Sequence, residues 1–381
     1  MLILDELDVL RQQINETDRL LVELFSKRME LAAKVGEYKA ERKLKIFDPA
    51  RERAVVERAC SMAGASVDSK YVEQFMENLM FLSRKLQTDI IGNKQESAIY
   101  KGAAPAMTIG YQGVPGCYSY QASLEYFGGK VQTLSCHSFR DVFEALAEDR
   151  IQYGVLPIEN STSGSINEVY DLLREYEFHI VGEKCLKIEH SLLGIKGAEI
   201  ADIGEVYSHQ QGLIQCGRYL SEHPQWKQVP YFDTAGSAEY VAKEGSGEKA
   251  CIAGNMAASV YGLSILSSNI QDNRNNSTRF VVIGKESVKN EEADKISIII
   301  SVPDKPGTLY GALRHFAEAE YNLMKIESRP LSGKAWEYFF YIDFGGNLME
   351  DKTREILART EKECSYFRLL GNYRSEAGCK V

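Results

Sequence analysis

From Leu7 to Tyr38 the apolar residues recur at alternating steps of three and four: Leu7, Leu10, Ile14, Leu21, Leu24, Leu31, Val35 and Tyr38. That period predicts one face of a long helix. Thr17 and Arg28 occupy two further positions of the same stripe. A heptad stripe sustained over about 30 residues cannot be covered by one small segment, so it predicts pairing, most simply as a dimer. DPARERAVVERA opens a second helix, with Asp48 as a natural N-cap and Pro49 as a natural first residue. Val72, Phe75, Leu79, Leu82 and Leu86 make the stripe of a third helix, and Ser83 and Gln87 share a face beside it. Periodicity is lost across GNKQESAIYKGAAPA.

Beyond Met107 the period changes. Short apolar runs (MTIGY, YGVLPI, GEVYS, KACIAG, RFVVIG) alternate with helical stretches, which is an α/β pattern. After the charged stretch KESVKNEEAD the order is strand (KISIIISV), helix, two strands (NLMKIESR, WEYFFYIDF), helix, strand (FRLLGNYR). That is the βαββαβ, ferredoxin-like order. The expected chain is multidomain: an all-α segment 1–91, a linker 92–106, an α/β segment 107–284, a linker 285–294 and a ferredoxin-like segment 295–381.

Composition narrows the partners. The net charge of −9 argues against nucleic acid, so an acidic ligand must meet locally gathered cations. No apolar run is long enough to span a bilayer and no secretory signal opens the sequence, so no membrane partner is expected. The eight cysteines are scattered, without a C-x-x-C pair. They are expected to be reduced thiols of a cytoplasmic protein, with neither structural disulfides nor zinc. Cys117 and Cys216 stand near motifs but are expected to be buried filler. No ligand set has metal spacing, so neither metal nor cofactor is expected.

Arg28 changes the reading of the first helix. A guanidinium on a buried face costs several kcal/mol unless it is paired, either with a structural carboxylate or with a ligand. Lys39 lies about three turns further on and roughly on the same face, while Arg11 lies about 100° round the helix. Arg51 and Glu52 fall in the first turn of the second helix. Taken together, LRQQINETDRLLVELFSKRMELAAKVGEYKA, FDPARERAV and LSRKLQ resemble the all-helical chorismate mutases, over the whole of residues 1–90. The resemblance implies that Arg28, Lys39, Asp48, Arg51 and Glu52, with Ser83 and Gln87, line a mutase site. Arg11 would reach it from the other protomer. Those residue types suit chorismate, a dianion whose carboxylates fit Arg forks. Its rearrangement to prephenate is intramolecular, so the site must hold a compact conformer and stabilise charge on the ether oxygen. Lys39 and Gln87 are the expected donors there, and Glu52 the acceptor for the substrate hydroxyl.

VLPIENSTSGSINEV (155–169) places a run of small hydrogen-bonding side chains between a strand and a helix. Ser165 can cap that helix. Asn160, Ser161 and Ser163 can instead offer donors to an anion at its N-terminus. With GYQGVPGCYSYQAS, KIEHSLLG, YSHQQGLIQC and NNSTRFVVIG, the stretch resembles prephenate dehydratase over about 107–284. That implies two α/β lobes of the periplasmic-binding-protein type with the site in the cleft between them. Prephenate loses CO₂ and water, so an acid must assist the departing hydroxide. Thr278, from the Thr-Arg-Phe triplet, is the expected donor. Glu159, His209 and Gln215 are candidates for its relay or for binding, although His209 is equally suited to capping a helix. Arg279 can hold a carboxylate or tie the lobes together. The form GYQGVPGCYS also looks like that of arogenate-using dehydratases.

The last segment resembles an ACT domain through KPGTLYGAL and ESRP. The resemblance implies a phenylalanine site lined by Gly307, Thr308 and Leu309 and by Glu327, Ser328, Arg329 and Pro330, across a dimer of these domains. A Gly-rich turn lets backbone approach an amino acid closely, whereas GTL can also be only a helix start. The expected function is therefore a bifunctional enzyme of phenylalanine synthesis. It would convert chorismate to prephenate and prephenate to phenylpyruvate, inhibited by phenylalanine, as a homodimer or higher homo-oligomer. A mutase fused to an arogenate dehydratase, and a non-catalytic small-anion binding protein with an ACT sensor, are the alternatives.

Overall fold

Three helices make up the N-terminal part of the chain: α1 (Glu6–Arg42), α2 (Pro49–Ala63) and α3 (Ser69–Glu96). They belong to a computed structural model, which describes residues 6–42, 49–63, 67–96, 107–129, 131–287, 290–331, 337–376 and 379. Asp48 therefore lies outside the described residues. Residues 1–103 and 104–381 form separate units. In the first, Ala32 of α1 and Met80 of α3 are buried between the helices. Gly36 explains how closely α3 approaches, because a Cβ there would lie 3.1 Å from the Cα of Gln87. The first half of the heptad stripe is exposed, with Leu10, Ile14, Leu21 and Leu24 about half exposed or more, whereas Arg28, Leu31 and Val35 of its second half turn to a cavity shared with α3.

The second unit contains three sheets. The first lobe is built from β1 (Thr108–Gln112), α4 (Tyr118–Phe127), β2 (Gln132–Cys136), α5 (Phe139–Ala147) and β3 (Tyr153–Asn160). It continues with the short β4 (Gly164–Ser165), α6 (Asn167–Glu175) and β5 (His179–Lys187). The second lobe comprises β6 (Ser191–Gly194), β7 (Glu205–His209), α7 (Gln210–Gln215), α8 (Gly217–Ser221) and β8 (Lys227–Tyr231). It is completed by α9 (Thr234–Glu244), β9 (Lys249–Ala253), α10 (Asn255–Tyr261) and β10 (Ser264–Ser267). The chain then returns, and β11 (Ser277–Gly284) inserts between β3 and β5, antiparallel to both. The strand orders are β2-β1-β3-β11-β5, with β4 beside β3, and β10-β6-β9-β7-β8.

The third sheet follows from β12 (Lys295–Ser301), α11 (Thr308–Glu318), β13 (Leu323–Pro330), β14 (Tyr338–Gly345), α12 (Asp351–Glu363) and β15 (Tyr366–Tyr373), in the order β13-β14-β12-β15. Its two faces have different neighbours. Ile296, Ile298 and Ile300 pack with Phe316 and Ile356 of the helices. Ile299, with Tyr341, Leu370 and Tyr373, enters the core of the first lobe alongside Phe143, Leu172 and Ile180. Both faces of β12 are thus covered, which is why KISIIISV places three isoleucines in succession instead of alternating. Gly371 fits the seam, since a Cβ there would lie 1.9 Å from the carbonyl oxygen of Ile180.

Cys185 of β5 and Cys379 form a disulfide, with Cα atoms 5.6 Å apart. This corrects the expectation of reduced thiols throughout. The two residues are 194 positions apart, and only the seam between the sheets brings them together. Cys117 is not mere filler either: it is the N-cap of α4, its sulfur accepting from the Tyr120 N–H. Cys216 is buried in the core of the second lobe.

Candidate active sites

The helical unit holds a cavity of about 360 Å³. α1 contributes Arg28 and Lys39, α2 contributes Arg51 and Glu52, and α3 contributes Ser83, Arg84 and Gln87. Every described residue that the sequence assigned to one protomer's mutase site thus lines this cavity. Arg28 spans from α1 to α3, donating to Leu79 O at 3.1 Å and to Ser83 Oγ. Burial lowers its pKa from the usual arginine value. Gln87 is buried and its Oε1 has no hydrogen-bond partner among the described residues. That oxygen is an acceptor facing a cationic cavity, so a donor is what would satisfy it. Arg11 lies on an exposed part of α1, about 25 Å along the helix from Arg28 at 1.5 Å per residue. Arg84 was missed from the sequence. Its guanidinium is bonded to Glu52, and only its place between Ser83 and Gln87 signalled it.

In the two-lobed part, Asn160 organises the end of β3. Its Nδ2 lies 2.7 Å from Asn276 Oδ1 and 2.9 Å from Thr278 Oγ1. Its Oδ1 accepts from the backbone N–H groups of Thr162 and Ser163, each at 2.9 Å, and from Ser163 Oγ at 3.2 Å. Ser161 Oγ donates to Asn275 O at 3.2 Å and accepts from Ser277 N–H at 2.9 Å. The small polar residues of NSTSG and NNST therefore clasp each other. In this structure much of the hydrogen-bonding capacity of Asn160, Ser161 and Ser163 goes into closing the two turns. Thr278 Oγ1 differs. It accepts from Asn160 and donates to no described residue, so its proton remains available.

Ser165 does not cap α6. The cap residue is Ile166, without a side-chain bond, and Ser165 Oγ instead donates to Glu327 Oε2 at 2.5 Å and accepts from Lys325 Nζ at 3.1 Å. Glu159 turns away from Thr278, as strand alternation requires, and pairs with Lys325 at 2.7 Å. Arg279 also faces the C-terminal sheet. It lies 2.6 Å from Asp343, 3.0 Å from Glu183 and 3.8 Å from Glu159, with Lys295 2.8 Å from Glu183. Burial works against the Arg279 charge, but Asp343 and Glu183 more than offset it and hold the pKa well above its usual value. Arg279 thus ties the first lobe to the C-terminal sheet, and its guanidinium is already surrounded by carboxylates.

The two crossings between the lobes are bonded to each other. Ile188 N–H donates to Asn276 O at 2.8 Å, and Ile270 N–H to His190 O at 3.0 Å. His190 is buried between Tyr118, whose hydroxyl is 3.2 Å from Nδ1, and Gln215, whose Oε1 is 2.8 Å from Nε2. Burial lowers the His190 pKa, against the opposing pull of Gln215. Sequence reading named Gln215 but passed over Tyr118 and His190. His209 is the N-cap of α7, accepting from Gln211 N–H at 3.2 Å, which is its capping role.

Gly307, at φ +86°, starts α11, and Thr308 Oγ1 donates to Pro303 O and Lys305 O, at 2.6 and 2.9 Å. β13 alternates strictly. Lys325, Glu327 and Arg329 are half-buried, whereas Ile326, Ser328 and Pro330 are exposed on the other face. Arg329 grips Asp171 of α6 at 2.7 Å. Glu327 and Arg329, expected to line a phenylalanine site, are therefore engaged with Ser165 and Asp171 of the first lobe. Tyr341 Oη donates to Tyr170 O, and Arg368 donates to the carbonyls of Leu173, Tyr176 and Phe178, all at 2.7–2.8 Å. Strands β13, β14 and β15 thus hold α6 from its leading turn to its end.

Fold and sites define a multidomain enzyme: a helical mutase unit, a two-lobed dehydratase and a C-terminal ACT domain. Residues 10–88 match the chorismate mutase type II family, 109–288 the prephenate dehydratase family and 296–362 the ACT domain. The bifunctional chorismate mutase/prephenate dehydratase of Aquifex aeolicus is 32% identical over 97% of this chain and 98% of its own. An Arabidopsis thaliana protein named arogenate dehydratase/prephenate dehydratase 2 is 35% identical over 81% of this chain and 82% of its own. Among solved structures, a prephenate dehydratase from Arthrobacter aurescens in complex with L-Phe is 28% identical, with a TM-score of 0.64, and covers 70% of this chain and 90% of its own. The chain belongs to the bifunctional chorismate mutase/prephenate dehydratases, and carries both activities.

Proposed function

We propose that phenylalanine regulates the dehydratase through the C-terminal sheet. The observation that carries this reading is the grip of β13, β14 and β15 on α6 and on the turn that leads into it. That turn also contains Asn160, the partner of Thr278. A ligand that shifts β13 between two states would shift the turn, provided it binds those states with different affinity. Gly307, Thr308 and Leu309, with Ser328 and Pro330 on the exposed face of β13, are the residues left for the amino acid.

In the mutase cavity Arg28 and Arg51 bind the carboxylates, and Lys39 and Gln87 stabilise the ether oxygen. Arg11 comes from a second copy of the chain, which the exposed apolar stripe of α1 pairs with. Its distance from Arg28 along one helix supports this arrangement. Thr278 is the donor to the leaving hydroxyl. The domains run 1–91, 107–284 and 295–381, and the enzyme works in the cytoplasm. Among the described residues no helix is long and apolar enough to cross a membrane. Arogenate is a second reading of the dehydratase substrate, supported by GYQGVPGCYS and by the Arabidopsis relative's name.

The test follows chorismate loss and phenylpyruvate formation in one purified sample, with and without phenylalanine. Phenylalanine should slow only phenylpyruvate formation. Prephenate accumulating without phenylpyruvate would turn the substrate reading to arogenate, and indifference to phenylalanine would overturn the regulatory reading.

A further inference from the structure

Glu52 poses a problem in the mutase cavity. The cavity gathers four cations, Arg28, Lys39, Arg51 and Arg84, and its proposed ligand is a dianion. A carboxylate among them repels the ligand's own carboxylates. It is useful only if the ligand presents a hydrogen-bond donor there, and the substrate's hydroxyl is such a donor. The carboxylate must then be aimed.

Arg84 can supply that aim. Its Nη1 is bonded to Glu52 Oε2 across the cavity, joining α3 to α2. The two side chains are 21% and 22% exposed, so water screens the pair less than a surface pair. Among the described residues Glu52 Oε1 has no such bond, leaving that oxygen free to accept. Glu52 also lies in the first turn of α2, where the helix dipole favours a negative charge.

We propose that Arg84 is a positioning residue of the mutase site. It fixes one oxygen of Glu52 and turns the other oxygen to the substrate hydroxyl. The inference rests on the reading of Glu52 given above. It also explains why LSRKLQ places an arginine between Ser83 and Gln87, two residues with separate tasks in the same cavity.

The test uses the full chain and mutase kinetics for Arg84→Met, Arg84→Lys, Glu52→Gln and the double variant Arg84→Met/Glu52→Gln. Arg84→Met should lower kcat by roughly tenfold to a hundredfold, as expected for a misplaced substrate-positioning group. Arg84→Lys should recover part of the rate. The double variant should be no slower than Glu52→Gln alone, since Arg84 acts through Glu52. An unaltered Arg84→Met rate, or losses that multiply in the double variant, overturns the proposal. Multiplying losses would make Arg84 a direct ligand of the substrate. If Glu52→Gln itself leaves the rate unchanged while the parent enzyme is active, the reading of Glu52 fails first. The dehydratase rate of each sample checks that the rest of the chain is intact.

Discussion

Thr278 and Arg279 are neighbours on β11 and face opposite ways. Thr278 Oγ1 lies 2.9 Å from the Asn160 amide, and the Arg279 guanidinium lies 2.6 Å from Asp343 of the C-terminal sheet. Their partners on β3 repeat the division, with Asn160 opposite Thr278 and Glu159 opposite Arg279. Two adjacent strands therefore carry the proposed chemistry on one face and the attachment to the ACT domain on the other. A displacement of either strand is felt on both sides.

Arg279 sits in a buried cluster with Asp343, Glu183 and Lys295. Arg279→Met leaves two buried carboxylates with only Lys295 to answer them. Breaking such a cluster on one side costs about 3–5 kcal/mol. Urea unfolding of the full chain should show the second unit losing stability by about that amount, and a shift under about 1 kcal/mol would show that the cluster is dispensable.

Thr278 keeps a free proton because Asn160 supplies the bond that its oxygen accepts. Thr278→Val preserves shape and removes the hydroxyl. Dehydratase kcat should fall by about a hundredfold or more, with chorismate consumption unchanged in the same sample. An undiminished rate of phenylpyruvate formation would remove Thr278 from the mechanism.

His190 is buried, and burial lowers its pKa. The unfolded chain, with the ordinary histidine value of about 6.5, then binds more protons than the native one below that pH. Native stability should therefore fall as pH drops below about 6.5, by up to about 1.4 kcal/mol per pH unit. His190→Gln should flatten that slope. His179 is also shifted down by burial and will retain its share. An identical slope in the variant would mean that His190 charges as freely in the folded state as in the unfolded one.

Cys185 and Cys379 close a long loop. Loop-closure entropy sets an upper bound of about 5 kcal/mol on its contribution. A thiol reductant should lower the unfolding temperature of the chain and leave that of Cys379→Ser unchanged. Equal responses of both proteins would show that the bond is not formed in solution.

How much of this was legible in the sequence depends on the range of the interaction. The mutase residues sit on helices, so spacing alone places Arg28 and Lys39 on one face and Ser83 beside Gln87. Thr278 stood out through its triplet. The tasks of Glu159, Ser165, Glu327 and Arg329 were not legible, because each partner is more than 150 positions away, as in Ser165 with Glu327. Strand alternation carried part of the answer. Glu327 and Arg329 must face together and opposite to Ser328, so ESRP cannot turn all its side chains to one ligand. The disulfide was hidden for the same reason, with nothing local to relate Cys185 to Cys379. Arg84 was legible in position but not in purpose, since its partner stands on another helix.

The central claim is that α6 and its leading turn link the ACT sheet to Thr278. Asp171→Asn tests it most directly, because it weakens the Arg329 grip on α6 without touching Asn160 or Thr278. Phenylalanine inhibition of phenylpyruvate formation would be measured alongside calorimetric binding of phenylalanine, in the parent chain and in the variant. The account predicts retained binding, a dehydratase rate within about twofold of the parent without phenylalanine, and inhibition weakened by about tenfold, a coupling loss near 1.4 kcal/mol. Inhibition of undiminished strength in Asp171→Asn would contradict it.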